Sequence, residues 1–113
     1  MKIYHNPRCG KSRQTLALIE DAGIEPEVIE YLKTPPTAEE LDAILKKLKL
    51  EPQELMRKGE AIYKELNLAE RELSRDEAIA VMLEHPKLIE RPIVVQGRKA
   101  VLGRPPENVK ELL

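Results

Sequence analysis

The chain carries one cysteine, Cys9, and its neighbours are charged and polar rather than apolar. Residues 8–13 read Arg-Cys-Gly-Lys-Ser-Arg, which holds three cations and no anion; acidic residues return at Glu20 and Asp21. A thiol reacts as its thiolate, and nearby positive charge favours that form. Cys9 also falls between a strand-like run and a helical one, just ahead of the helix start. A helix N-terminus presents unpaired N–H groups and partial positive charge, which stabilise a thiolate and receive an anion. A thiolate beside an anion site is equipment for nucleophilic attack on an oxyanion. The competing reading is that a lone cysteine is a small buried hydrophobe. Pro7, Arg8, Gly10 and Lys11 argue against it, because they form no apolar stripe.

His5 lies four residues upstream, at the end of the strand-like run, close enough to assist the thiol. A histidine at a strand end is equally a structural residue. His85 precedes Pro86 behind an amphipathic helix and reads as a surface or helix-end residue. Three arginines sit in settings that can aim a guanidinium. Arg91 precedes Pro92 and a strand-like run. Arg104 stands between Gly103 and two prolines. Arg57 is followed by Lys58 and Gly59, which is also an ordinary helix C-terminus, where cations suit the dipole. Spacing along the chain does not by itself bring these three together.

Composition narrows the setting. At 113 residues the chain is one domain's worth. Lys and Arg number 19 against 20 Asp and Glu, a net charge of -1 that gives no reason to expect nucleic acid as a partner. There is no Phe and no Trp, so the core must come from Leu, Ile, Val and Ala. One cysteine leaves no intramolecular disulfide and no cysteine-based metal site within the chain. No apolar run approaches the ~18 residues of a membrane span, and the start, Met-Lys-Ile-Tyr-His, lacks the apolar stretch of a secretory signal. A cytoplasmic monomer without membrane contact is the expectation.

The elements that must hold these residues follow from pattern. Residues 2–5 suit a strand, broken by Asn6-Pro7. Leu16, Ala17, Ile19 and Ala22 recur at helical spacing between Gly10 and Ala22, with Ser12 as a candidate cap and Gly23 as a stop. Val28 to Leu32 is a second β-rich run, so the opening is βαβ with a parallel pair and a right-handed crossover. Thr37 with Glu40, and Ser74 with Glu77, are capping boxes. The first leads into Leu41, Ile44, Leu45 and Leu48. The second leads into Ala78, Ile79, Met82 and Leu83. Between them a helix is expected from Glu51-Pro52 to near Gly59, and a short one over Ala61 to Leu66. Ile93-Val94-Val95, a Gln96-Gly97 turn and Ala100-Val101-Leu102 suggest a hairpin, and Glu107 to Leu113 a last helix. The expected class is therefore α/β: a βαβ–ββα sheet formed by 1–36 and 86–113, with an all-helical insertion at 37–85, in one domain.

Several segments together resemble one family. His5-Asn6-Pro7-Arg8-Cys9-Gly10-Lys11-Ser12-Arg13 is similar to the active-site segment of the glutaredoxin-dependent arsenate reductases. So are Tyr31-Leu32-Lys33-Thr34-Pro35-Pro36, Leu55-Met56-Arg57-Lys58, His85-Pro86 through Arg91-Pro92-Ile93-Val94-Val95, and Gly103-Arg104-Pro105. The segments occur in the family's order across essentially the whole chain. The resemblance implies an ArsC-like, thioredoxin-like fold and a cis bond before Pro92. It implies that Cys9 attacks arsenate, and that Arg57, Arg91 and Arg104 are catalytic cations that bind the oxyanion and its adduct. It further implies that His5 favours the ionised thiol, and that Ser12 and Arg13 belong to the substrate-binding segment, Ser12 by a hydrogen bond to the sulfur. With no second cysteine in the chain, glutathione would resolve the thiol–arsenate adduct and glutaredoxin would finish the reduction, with no bound cofactor and no metal. Such an enzyme serves arsenical resistance.

Two other functions remain compatible with the same residues. A glutathione-dependent thiol oxidoreductase acting on another substrate would use Cys9 without needing all three arginines. A Spx-like regulator that binds RNA polymerase would share the fold. Those regulators commonly carry Cys-x-x-Cys, where this chain has Cys9 and Ser12.

Overall fold

The computed structural model describes residues 1–113. It divides into two compact units, residues 1–34 with 91–113, and residues 35–90.

The first unit is built on a four-stranded sheet. Strands β1 (Lys2–His5) and β2 (Glu27–Glu30) run parallel, with Ile3 opposite Val28, and α1 (Gly10–Asp21) makes the connection between them. Strands β3 (Ile93–Gln96) and β4 (Lys99–Leu102) form a hairpin, and β3 pairs antiparallel to β1 with Val94 opposite Ile3. The strand order is β2-β1-β3-β4, so β1 and β3 are central. This is the expected βαβ–ββ arrangement, and its composition explains the centre. Ile3, Ile19, Val94 and Val109 are buried together, with Leu16, Leu18, Ile24, Val101 and Leu112 packed around them. The core is aliphatic, each fully buried side chain contributing about 1.5–3 kcal/mol of transfer free energy.

Local expectations met three corrections in this unit. The second strand stops at Glu30, not Leu32: the amides of Lys33 and Thr34 both donate to the Glu30 carbonyl at 2.9 Å and turn the chain there. The face of α1 that is buried is Ser12, Thr15 and Ile19, whereas Ala17 and Ala22 are exposed. The last segment, Pro106–Leu112, is a 3-10 helix. Its inward residues, Pro106, Val109 and Leu112, are spaced by three, the period of that helix.

The second unit is dominated by helices. Helices α2 (Ala38–Leu48), α3 (Ala61–Glu65) and α4 (Arg75–Glu84) lie within it. Both capping boxes form: Thr37 Oγ1 accepts from the Glu40 amide at 3.1 Å, and Ser74 Oγ from the Glu77 amide at 3.2 Å, each glutamate returning to the cap amide. Leu41, Ile44 and Leu45 of α2 are buried, as are Ala78, Ile79 and Met82 of α4. Lys49 ends α2 in the left-handed region at φ 58°. The helix expected from Glu51-Pro52 to Gly59 is only one 3-10 turn, Pro52–Leu55. Met56 instead takes extended backbone and bridges Ile89; the Arg57 amide donates to Leu88 O at 2.7 Å and the Glu90 amide to Leu55 O at 2.9 Å. The same bonds draw residues 86–90 into the helical unit, so its edges lie at 35 and 90 rather than 37 and 85.

Candidate active site around Cys9

Asn6 and Pro7 end β1 and force a turn whose last residue begins a helix. The Asn6 side chain accepts from the Arg8 amide at 3.0 Å, and the Asn6 carbonyl accepts from the Cys9 amide at 3.0 Å. Cys9 itself is the N-cap of α1, with extended backbone at φ −94° and ψ 122°, and its carbonyl takes the first helical bond from Arg13. Ser12 is therefore not the cap but a residue of the first turn. No acidic side chain occupies that turn, so nothing there cancels the positive end of the helix.

Cys9 is 9% exposed. Burial pushes the Cys9 thiol up, but four influences outweigh it and hold it below its usual value. The backbone N–H groups of Ser12 and Lys11, in the first turn of α1, and the guanidinium charges of Arg91 and Arg104 all favour the thiolate. Two of the three candidate arginines thus act on the thiol through their charge, from the far end of the sequence. Arg91 precedes β3, Arg104 follows β4, and Arg104 Nη1 donates to the Arg91 carbonyl at 3.4 Å. The Arg91–Pro92 bond is cis; so is Arg104–Pro105, for which the sequence offered no expectation.

His5 and Ser12 form a buried pair below the thiol loop. His5 Nδ1 lies 2.6 Å from Ser12 Oγ, which also accepts from the Asn6 amide at 3.1 Å. Desolvation lowers the His5 pKa, outweighing the attraction of Glu30, and the Arg13 charge lowers it further, so the surroundings favour the neutral ring. With the proton on Nδ1, both contacts fill Ser12 lone pairs and leave its hydroxyl hydrogen for a third partner; in the other tautomer Ser12 donates to the ring. It is the Ser12 backbone N–H, not its hydroxyl, that favours the thiolate. Arg13 directs Nη1 to the Pro7 carbonyl at 3.0 Å and braces the loop.

Arg57 belongs to the helical unit. Its Nη1 pairs with Glu60, and its Nε stands 3.5 Å from a Glu90 oxygen. His85 caps the end of α4. No group of three or more His, Cys, Asp or Glu is placed to hold a metal ion. No helix is long and apolar enough to cross a membrane.

Sequence reading passed over Thr15 as a site-supporting residue. It is fully buried, and its hydroxyl donates to the Lys11 carbonyl at 2.8 Å. The available signal was its phase: Thr15 shares a helical face with Ser12 and Ile19.

Comparison with known proteins places this geometry. Residues 4–112 match the ArsC family. A protein of Escherichia coli strain K12 known as uncharacterized protein YfgD is 54% identical over 114 residues, covering 100% of this chain and 96% of its own length. An arsenate reductase of Haemophilus influenzae is 49% identical over 112 residues, covering 98% of this chain and 97% of its own. The structure of an arsenate reductase from Vibrio cholerae superposes with a TM-score of 0.95 at 56% identity, over 100% of this chain and 98% of that one. By a match that runs through both the Cys9 loop and the Arg104 segment, the chain belongs to the ArsC family, and its sheet with helical insertion is that family's thioredoxin-like fold.

Proposed function

We propose that this protein reduces arsenate to arsenite, with Cys9 as nucleophile. The observation that carries the reading is a thiol at a helix N-terminus, its ionised form favoured by the charges of Arg91 and of Arg104, which hydrogen-bonds to the Arg91 carbonyl. Guanidinium forks grip tetrahedral oxyanions at two oxygens, and amide donors stabilise charge that develops on them.

In the proposed sequence the Cys9 thiolate attacks arsenic, and one arsenate oxygen leaves as water after protonation. This forms an As–S bond without changing the oxidation state. The glutathione thiolate then attacks the Cys9 sulfur. The As–S electron pair goes to arsenic, which leaves as arsenite, two electrons reduced. Cys9 is left as a mixed disulfide with glutathione, and exchange with glutaredoxin restores it. Arg57 contributes a third cation to oxyanion binding, His5 and Ser12 hold the loop that favours the thiolate, and Arg13 braces it. The chain works as one domain and as a cytoplasmic monomer.

The test incubates the protein with arsenate, glutathione, glutaredoxin, glutathione reductase and NADPH, against a Cys9→Ser control. Arsenate-dependent NADPH consumption that disappears in the control is expected. A reactive Cys9 with no consumption would overturn arsenate as substrate and point to another thiol substrate.

A further inference from the structure

Three segments far apart in sequence crowd one point behind the thiol. Gly103 follows β4 and is buried. A Cβ added there would collide with Thr15 Oγ1, would lie 2.7 Å from Pro92 Cγ, and would lie 3.0 Å from Thr15 Cγ2. The Gly103 amide donates to the Pro92 carbonyl at 3.0 Å, and its carbonyl stands 3.4 Å from Thr15 Oγ1. Gly103 is thus held between Thr15, on the buried face of α1 that begins at Ser12, and the proline that follows Arg91. The next residue is Arg104, which reaches back to the Arg91 carbonyl.

Gly103 does not have a positive φ. What the position requires is space, since its neighbours on both sides are closer than any side chain permits. The Thr15 hydroxyl spends its hydrogen on Lys11, in the same turn whose amides face the sulfur, so a side chain inside α1 is fixed on both sides of the contact.

We propose that Thr15 and Gly103 are a matched pair of positioning residues, whose close contact sets where the Arg104 guanidinium stands relative to the Cys9 thiol. This rests on the roles proposed above for Cys9 and Arg104. Neither Thr15 nor Gly103 touches the substrate; each acts through the arginine and the helix it holds.

Two readouts test this in variants with unchanged circular dichroism. One is the pH midpoint for alkylation of Cys9 by iodoacetamide, which reads the thiol's surroundings with no oxyanion present. The other is KM and kcat for arsenate, measured separately. Gly103→Ala is expected to raise KM about tenfold, because small misplacements of a binding group are costly, and to move the alkylation midpoint upward by about half a pH unit as the cation recedes. Adding Thr15→Ala removes both Thr15 atoms that the new methyl meets, so the double variant should lie closer to the parent than Gly103→Ala does. Thr15→Ser keeps the hydroxyl and should stay near the parent. Additive losses in the double variant, or an unchanged midpoint and KM in Gly103→Ala, would overturn the pairing. Should Gly103→Ala fail to fold, Thr15→Ala alone decides: an upward midpoint supports the proposal, and parental values in both readouts overturn it. Absence of arsenate turnover in the parent would defeat the proposed function, while the alkylation profiles would still judge the contact.

Discussion

The two units of this chain handle polar groups in opposite ways. In the helical unit, residues 35–90, charged side chains are exposed or half-buried and meet opposite charges: Arg75 and Lys46 on Asp42 at 2.6 and 3.1 Å, Arg57 on Glu60 and Glu90. Its capping boxes are exposed and its buried residues are almost all apolar. In the sheet unit, His5, Ser12 and Thr15 are buried polar residues, and they gather around one helix start. Burying them is costly unless each is hydrogen-bonded, and each is. The difference sets the proposed site apart: polar groups are buried around the start of α1, beside Cys9, whereas the capping groups of α2 and α4 stay in water.

The sharpest way to break this contrast is to remove a cation beside the thiol. Arg91→Ala and Arg104→Ala are each expected to cut arsenate turnover about 10²-fold, the scale for losing one stabilising donor of an oxyanion. Each should also raise the pH midpoint of Cys9 alkylation, since both charges favour the thiolate. Normal turnover and a parental midpoint in both variants would remove the arginines from the site.

Core substitutions come next. Val94→Ala, in the central strand of the sheet, should cost about 2–4 kcal/mol in urea unfolding, through lost burial and a cavity. Thr37→Ala and Ser74→Ala should each cost about 1 kcal/mol by removing an N-cap acceptor, with the Cys9 midpoint unmoved. A shift of that midpoint would show that these caps influence the thiol.

The smallest effect concerns pH. The His5 pKa is lowered by burial from its ordinary 6.5, so the folded state binds its proton less readily than the unfolded chain. Its contribution to stability is therefore complete above about pH 6.5 and declines as pH falls below that value. His5→Gln should flatten that part of the stability profile. For Asp42 the depression by Arg75 and Lys46 acts lower: its contribution persists above about pH 4 and is lost on further acidification. Asp42→Asn should remove only this acid limb.

Sequence by itself determined what depends on near neighbours. Thr37 with Glu40 and Ser74 with Glu77 announced two helix starts, because a cap and its partner lie within one turn. The strand-like run at residues 2–5, the apolar run Ile93-Val94-Val95 and the break at Asn6-Pro7 announced the strands, and the cations around the lone Cys9 singled it out as the candidate nucleophile. Tertiary structure alone decided the rest. Met56 leaves a helical pattern because a bridge to Ile89 across the chain competes with the local helix. Ser12 became a buried partner of His5 instead of a cap because α1 starts at Gly10 and turns its first polar face inward. The charges of Arg91 and Arg104 act on Cys9 only because β3 pairs with β1 and β4 pairs with β3, a long-range register that no spacing along the chain encodes. The contact of Thr15 with Gly103, 88 residues apart, is of the same kind: steric fit between distant segments is a property of the packed molecule.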